Sequence, residues 1–281
     1  MNHLFIVGAG TMGSDIAYCV AKAGIHCDLF DSNNQALKQA ELHLQKRVAK
    51  AVQKGEYDSQ TGASILGRMT YRHTLPSKLA VDYVIETVSE RIEVKKAVFC
   101  ELEAIVPFDT VIATNTSSIL IHEIANLCHH PERIIGLHFF NPASVMKLVE
   151  IIPTKVTNEA TLQTTRTLAK QLEKIAVEVQ EIPGFLVNRM LVAMVAEAIR
   201  LYERGVASAE DIDASMKYGA NHPIGPLALT DLIGLDIVLH MMQVMHHHEP
   251  GDVFRPSPLL IKMVEEGKLG RKSKEGFFKY S

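Results

Sequence analysis

Leu4-Phe5-Ile6-Val7-Gly8-Ala9-Gly10-Thr11-Met12-Gly13 is the stretch from which the rest of the chain can be read. Four apolar residues of strand type run into a turn rich in glycine, and a helical pattern follows in Ile16, Ala17, Val20 and Ala21. In such a turn Gly8 permits the tight bend, Gly10 lets the backbone approach an anionic group, and Gly13 lets the helix pack close to the strand. The helix N–H groups at Thr11 and Met12 then face the anion. Gly24 stands where a helix C-terminal glycine belongs, and His26 to Phe30 form a second strand that finishes at Asp31. Strand, glycine turn, helix, strand and acid in this order read as a dinucleotide site. A carboxylate at Asp31 can accept both ribose hydroxyls but repels a 2′-phosphate, which favours NAD over NADP.

Further along, residues 35–67 are helical and well charged with an interruption near Gly55 to Gly62, which predicts an antiparallel helical pair inserted before the next strand. Strand-type runs then recur at Tyr83 to Glu86, Thr110 to Thr114 and Arg133 to Phe139, separated by helical stretches at 91–105 and 119–128. This alternation predicts a parallel sheet with right-handed crossovers. Met146 to Ile152, a helix over 159–173 and a last strand at Ala176 to Gln180 lead to Pro183-Gly184, where a domain boundary is placed. Beyond it no good strand appears, and helices are expected at 185–204, 208–218, 226–246 and 257–266. The expected fold is therefore α/β, a Rossmann-type dinucleotide-binding domain over 1–183 followed by an all-α domain over 184–281. The first C-terminal helix is apolar nearly all round, so covering it calls for a second subunit, and a homodimer through this region is expected.

Composition narrows the function classes. Apolar residues make up 47% and charged residues 22% of the 281, which excludes a disordered or collagen-like chain. A net charge of −3, from 29 basic and 32 acidic residues, gives no broad positive field for nucleic acid. Cys19, Cys27, Cys100 and Cys128 are scattered, without a C-x-x-C pair, so neither a zinc site nor a disulfide framework is expected. The N-terminus lacks a basic leader, its apolar run breaks at Gly8, and no uncharged stretch reaches the ~18 residues of a membrane span, so a cytoplasmic protein without membrane partners is expected. His129-His130 and His246-His247-His248 have no carboxylate or cysteine at useful spacing, and no metal is assigned to them.

Several polar residues sit where polarity is costly. His138 lies within Leu137-His138-Phe139-Phe140 and Glu150 within Leu148-Val149-Glu150-Ile151-Ile152. A buried carboxylate needs a cation or strong donor. The short loop between the two strings lets them return side by side and bring Glu150 to His138. Glu150 would then fix the imidazole tautomer and leave the other nitrogen as a base, although a purely structural His–Glu pair fits the pattern too. Asn115-Thr116-Ser117-Ser118 follows a strand at the carboxyl end of the sheet, where ligands sit in open α/β folds, and Ser117 could equally cap a helix starting near Ile119. Asn188 is the odd polar residue in an apolar helix and needs a partner. Lys46, Lys50 and Lys54 share one helix face, with Arg47 beside them, as either a solvated stripe or a phosphate contact.

Taken together, Gly8 to Gly13, Asn115 to Ser118, Gly136-Leu137-His138-Phe139-Phe140-Asn141-Pro142, Met146 to Glu150 and Pro183-Gly184-Phe185-Leu186-Val187-Asn188-Arg189 resemble the L-3-hydroxyacyl-CoA dehydrogenases, and the short bacterial 3-hydroxybutyryl-CoA dehydrogenases most of all. The resemblance continues through Asn221 to Pro226 and Gly270 to Ser273, so it spans essentially the whole chain. It implies an acyl-CoA substrate, with His138 as the base for the 3-hydroxyl proton, Glu150 as its partner, and Ser117 and Asn188 at the reacting oxygens. It implies further cofactor contacts from Asp31, Glu90, Lys95, Asn115, Ser117, Asn141 and Lys272, and a CoA contact from Lys50 and Lys54. Three departures stand out. Asp15 occupies a position usually held by glycine, Thr87-Val88-Ser89 replaces a more apolar stretch, and Lys274 and Phe278 alter the usual C-terminal ending.

Overall fold

The computed structural model describes residues Met1–Ser281, which separate into two compact units, Met1–Glu181 and Ile182–Ser281. The first is built on an eight-stranded sheet. Its elements in chain order are β1 (His3–Val7), α1 (Thr11–Lys22), β2 (His26–Phe30), α2 (Asn34–Gln53), α3 (Ser59–Gly67), β3 (Met69–Arg72), β4 (Tyr83–Glu86), α4 (Ile92–Ile105), β5 (Val111–Thr114), α5 (Ile121–Ala125), β6 (Ile134–Phe139), β7 (Leu148–Pro153), α6 (Glu159–Gln171) and β8 (Ile175–Glu178). The spatial order is β3-β2-β1-β4-β5-β6-β7-β8. Neighbours run parallel except β6 and β7, which pair antiparallel.

The central strands β4, β5 and β6 are buried along their whole length, as expected of parallel strands covered by helices on both faces. Ile6, Ile16, Tyr83, Ile85 and Ile135 belong to one core cluster between sheet and helices. Helix starts are set by side chains where the chain leaves a loop: Asn33 accepts from Gln35 N–H, Asp58 from Thr61 N–H and Asn158 from Thr161 N–H. Helix α1 differs, for it begins at Gly10 without a side-chain cap.

Three sequence expectations need correction in this unit. No strand is expected between residue 67 and Tyr83, yet Met69-Thr70-Tyr71-Arg72 forms β3, a short edge strand held by its pairing with β2. The sheet is not wholly parallel, because the short β6–β7 connection returns the chain alongside itself. The helix expected over 119–128 shrinks to Ile121–Ala125.

The second unit is helical: α7 (Val187–Glu203), α8 (Ala209–Ala214), a π-helical turn at Ser215–Gly219, α9 (Pro226–Ile233), α10 (Leu235–His248) and α11 (Pro258–Glu265). Its core joins Val192, Val195 and Ile199 of α7 to Leu227, Leu235, Val238, Met242 and Leu260. The single helix expected over 226–246 is broken at Gly234, whose φ of +108° an L side chain rarely adopts, and the two halves are bent by 98°. No single helix is long and apolar enough to cross a membrane. All four cysteines are free thiols.

Candidate active site

The glycine turn separates the roles of its three glycines. A Cβ at Gly8, which has φ +102°, would lie 2.8 Å from the Thr87 carbonyl oxygen, and one at Gly13 would lie 1.8 Å from that of Gly8. Gly10 has nothing within 4 Å of that position, so its backbone borders open space. The first N–H groups of α1, uncapped by any side chain, begin beside this opening. Thr87 buttresses the turn: its hydroxyl donates to the Val7 and Gly8 carbonyl oxygens at 2.9 and 3.0 Å. The polar residue that departs from the family pattern thus has a structural task that sequence inspection did not assign. At the end of β2, Asp31 accepts the Ala9 N–H on one oxygen and the Asn33 N–H on the other, both at 2.8 Å, so its carboxylate is fixed to the turn. An open glycine, an uncapped helix start and an anchored carboxylate fit a dinucleotide.

His138 and Glu150 face each other because the antiparallel register of β6 and β7 makes them direct partners. The imidazole Nδ1 lies 2.8 Å from Glu150 Oε2, with His138 5% and Glu150 0% exposed. With a carboxylate as acceptor, Nδ1 is the ring nitrogen that donates. The Phe140 ring packs 4.7 Å from the imidazole, centroid to centroid. Such a burial leaves the carboxylate little water, so its bond to the imidazole is worth more than it would be at the surface.

A second polar cluster underlies the loop after β5. Lys95, 1% exposed, donates to both oxygens of the fully buried Glu86 at 2.7 and 2.9 Å and lies 3.4 Å from Glu90. Glu86 also accepts from Val88 N–H and the Thr114 hydroxyl. Glu90 accepts the N–H groups of Ser117 and Ser118, each at 2.9 Å, and the hydroxyls of Thr116 and Ser118. Burial pushes the Glu90 carboxyl up, but Lys95 and these donors outweigh it and hold it below the usual carboxylate range. The cluster therefore fixes the backbone that presents Ser117. Glu86 escaped sequence inspection, although an acid closing the apolar run Tyr83-Val84-Ile85 is the same signal that singled out Glu150. Ser117 does not cap a helix: α5 begins at Ile121 after Leu120 with no side-chain cap, and in the bend before it the Thr116 hydroxyl accepts the Ile119 N–H at 3.0 Å. Asn115 accepts the Phe139 N–H at 2.8 Å, tying the end of β5 to the strand of His138.

The remaining residues are spread wider. Gly10, Thr11 and Asn141 border one cavity of about 610 Å³, and Lys50 and Lys54 are exposed on α2 and at its C-terminal cap. Met12 is half-buried behind the turn. In the second unit Asn188 lines a small cavity with Leu191, Val195, Ile233 and Met241. Lys272 donates to both oxygens of Asp236 at 2.5 and 2.7 Å.

Comparison with known proteins accounts for both units. Residues 3–182 match the family described as 3-hydroxyacyl-CoA dehydrogenase, NAD binding domain, and residues 184–280 match its C-terminal domain. A 3-hydroxybutyryl-CoA dehydrogenase from Clostridioides difficile is 43% identical over 278 residues, covering 99% of each chain. The human mitochondrial hydroxyacyl-coenzyme A dehydrogenase is 38% identical over 290 residues, covering 100% of this chain and 91% of the human one. The crystal structure of (S)-3-hydroxybutyryl-CoA dehydrogenase from Ralstonia eutropha superposes with a TM-score of 0.96 at 38% identity, covering 100% of this chain and 99% of that one. With a dinucleotide turn, both family domains in order and whole-length likeness to these enzymes, the chain belongs to the 3-hydroxyacyl-CoA dehydrogenase family, as an oxidoreductase that uses NAD.

Proposed function

We propose that the chain interconverts an L-3-hydroxyacyl-CoA and the 3-ketoacyl-CoA, with 3-hydroxybutyryl-CoA as its substrate. The observation that carries this is the buried His138–Glu150 pair. A base held in one tautomer by a dry carboxylate suits removal of the 3-hydroxyl proton and its return in the reverse direction. Glu150 steadies the positive charge that builds on the ring when Nε2 takes that proton. NAD, held at the glycine turn, would supply the hydride acceptor that this oxidation needs.

Ser117, held in place through Glu90, and Asn188 are assigned to the reacting oxygens. Gly8, Gly10, Thr11, Met12 and Gly13 with Asp31 cradle the cofactor, and Glu90, Lys95, Asn115, Asn141 and Lys272 belong to the same set. Lys95 acts there from beneath, through Glu86 and Glu90, because it is buried. Exposed Lys50 and Lys54 give the CoA phosphates a basic face. Residues 1–183 are taken as the cofactor domain and 184–281 as the substrate and dimerisation domain, in a cytoplasmic homodimer. Met190, Val206, Leu232 and Ile237, all exposed apolar side chains of the helical unit, support that association.

The test is NADH oxidation with acetoacetyl-CoA, run beside free acetoacetate and repeated with NADPH. Turnover confined to acetoacetyl-CoA with NADH is expected, because Asp31 would repel a 2′-phosphate. Equal turnover of free acetoacetate would remove the CoA-binding part of the proposal, and no turnover by protein that binds NADH would remove 3-hydroxybutyryl-CoA as the substrate.

A further inference from the structure

Asp15 is the residue of this chain that least suits its place. It lies early in α1, the helix that opens the glycine turn, and it is 7% exposed. A lone carboxylate there would add negative charge beside the site of a pyrophosphate. The structure shows how that charge is met. Arg47, from the middle of α2, donates through Nη1 to Asp15 Oδ1 and through Nη2 to the Ser144 hydroxyl. Ser144, on the loop between β6 and β7, turns its N–H to Asp15 Oδ2 at 3.0 Å and its hydroxyl to the same oxygen at 3.2 Å. The guanidinium also stacks on Tyr18, its central carbon 4.2 Å from the ring centroid.

These three side chains join three elements that border one cavity: the glycine turn and α1, one flank of α2, and the loop that starts at Asn141. Arg47 and Asp15 themselves line it. A positive group in direct contact with a buried carboxylate cancels most of its field at a few ångströms, and a guanidinium that also holds Ser144 fixes the loop in the same act.

We propose that Arg47 is a positioning residue for the dinucleotide: it neutralises Asp15 beside the pyrophosphate. This rests on the pyrophosphate lying at Gly8–Gly13, the placement given above. It makes Arg47 and Asp15 a matched pair, in which losing the arginine alone harms cofactor binding and losing both does not. A bridge that served only to hold the helices together would instead affect folding stability and leave the affinity for the dinucleotide alone.

The experiment is titration of the full-length chain with NADH by cofactor fluorescence, at low and high salt, for Arg47→Ala, Asp15→Gly, the double variant and Asp15→Asn, with thermal unfolding run on each. Arg47→Ala is expected to raise the NADH Kd about tenfold, and more at low salt than at high, since the charge of Asp15, uncovered by loss of the guanidinium, is screened by ions. Asp15→Gly with Arg47→Ala is expected to return the Kd to within about threefold of the parent. Asp15→Asn keeps an acceptor for Arg47, removes the negative charge, and is expected to bind NADH at least as tightly as the parent; it also serves if Arg47→Ala fails to fold. An unchanged Kd for a folded Arg47→Ala, a double variant as weak as the single one, or weaker binding by Asp15→Asn would each overturn the proposal. Gly10→Val separates this from failure of the underlying placement. A Cβ at Gly10 meets no protein atom within 4 Å, so that variant should fold normally and lose NADH binding only if the pyrophosphate lies at the turn.

Discussion

At the scale of single residues, His138 and Glu150 carry most of what can be tested. Their 2.8 Å contact is buried, so Glu150→Gln leaves the shape of the site nearly intact while removing the charge that supports the ring. We expect His138→Gln to keep NADH binding and to lower kcat by roughly 10²- to 10⁴-fold, the range of general acid–base catalysis. Glu150→Gln should lower kcat by roughly a hundredfold and alter the pH–rate profile, since an amide cannot hold the imidazole in one tautomer as a carboxylate does. Steady-state kinetics across pH check both; a normal rate for His138→Gln, or an unaltered profile for Glu150→Gln, would remove the pair from the chemistry. Much of this was legible from the sequence, because an ionisable residue inside an apolar run announces a buried partner. The same logic extends to Glu86, whose partner Lys95 is only nine residues away. It does not extend to Asp15, whose partners Arg47 and Ser144 lie 32 and 129 residues away. Nothing local in the chain points to them.

At the scale of elements, the glycine turn and strands β1, β4, β5 and β6 follow from local pattern, since each strand is a mainly apolar run closed by a polar residue or a glycine, and β2 follows from its place between Gly24 and Asp31. β3 does not, because an edge strand of four residues takes its conformation from the neighbour it pairs with. Nor does the break between α9 and α10, where the apolar pattern continues on both sides of Gly234 and only the backbone changes direction. Inside β6, Gly136 shows how tightly the elements meet. A Cβ there would lie 2.8 Å from Ile121 Cδ1 and 3.0 Å from Ile152 Cβ, so α5 and β7 leave no room for one. Gly136→Ala is accordingly expected to cost about 1–3 kcal/mol of stability through overpacking. Urea unfolding measures it directly, and a cost near zero would mean that α5 shifts freely. Because β6 also carries His138, a loss of turnover without a loss of stability would point instead to displacement of that ring.

At the scale of the molecule, each unit has a core of its own, centred on the sheet in one and on α7 in the other. Residues 1–182, expressed alone, are therefore expected to fold and to bind NADH, with the helical content and fluorescence enhancement of the isolated chain as the readouts. Failure to fold would show that the sheet unit depends on the helical one for stability. The chain leaves the first unit once, after Glu181, and never returns to it. A gene built this way can be cut at one point and rejoined to another without severing a hydrophobic core. Hybrids that keep this N-terminal unit and take residues 184–280 from a relative exchange whatever the helical unit contributes, leaving the glycine turn and the His138–Glu150 pair as they are. The boundary near Pro183-Gly184 is thus also a seam along which lineages can trade the helical unit whole.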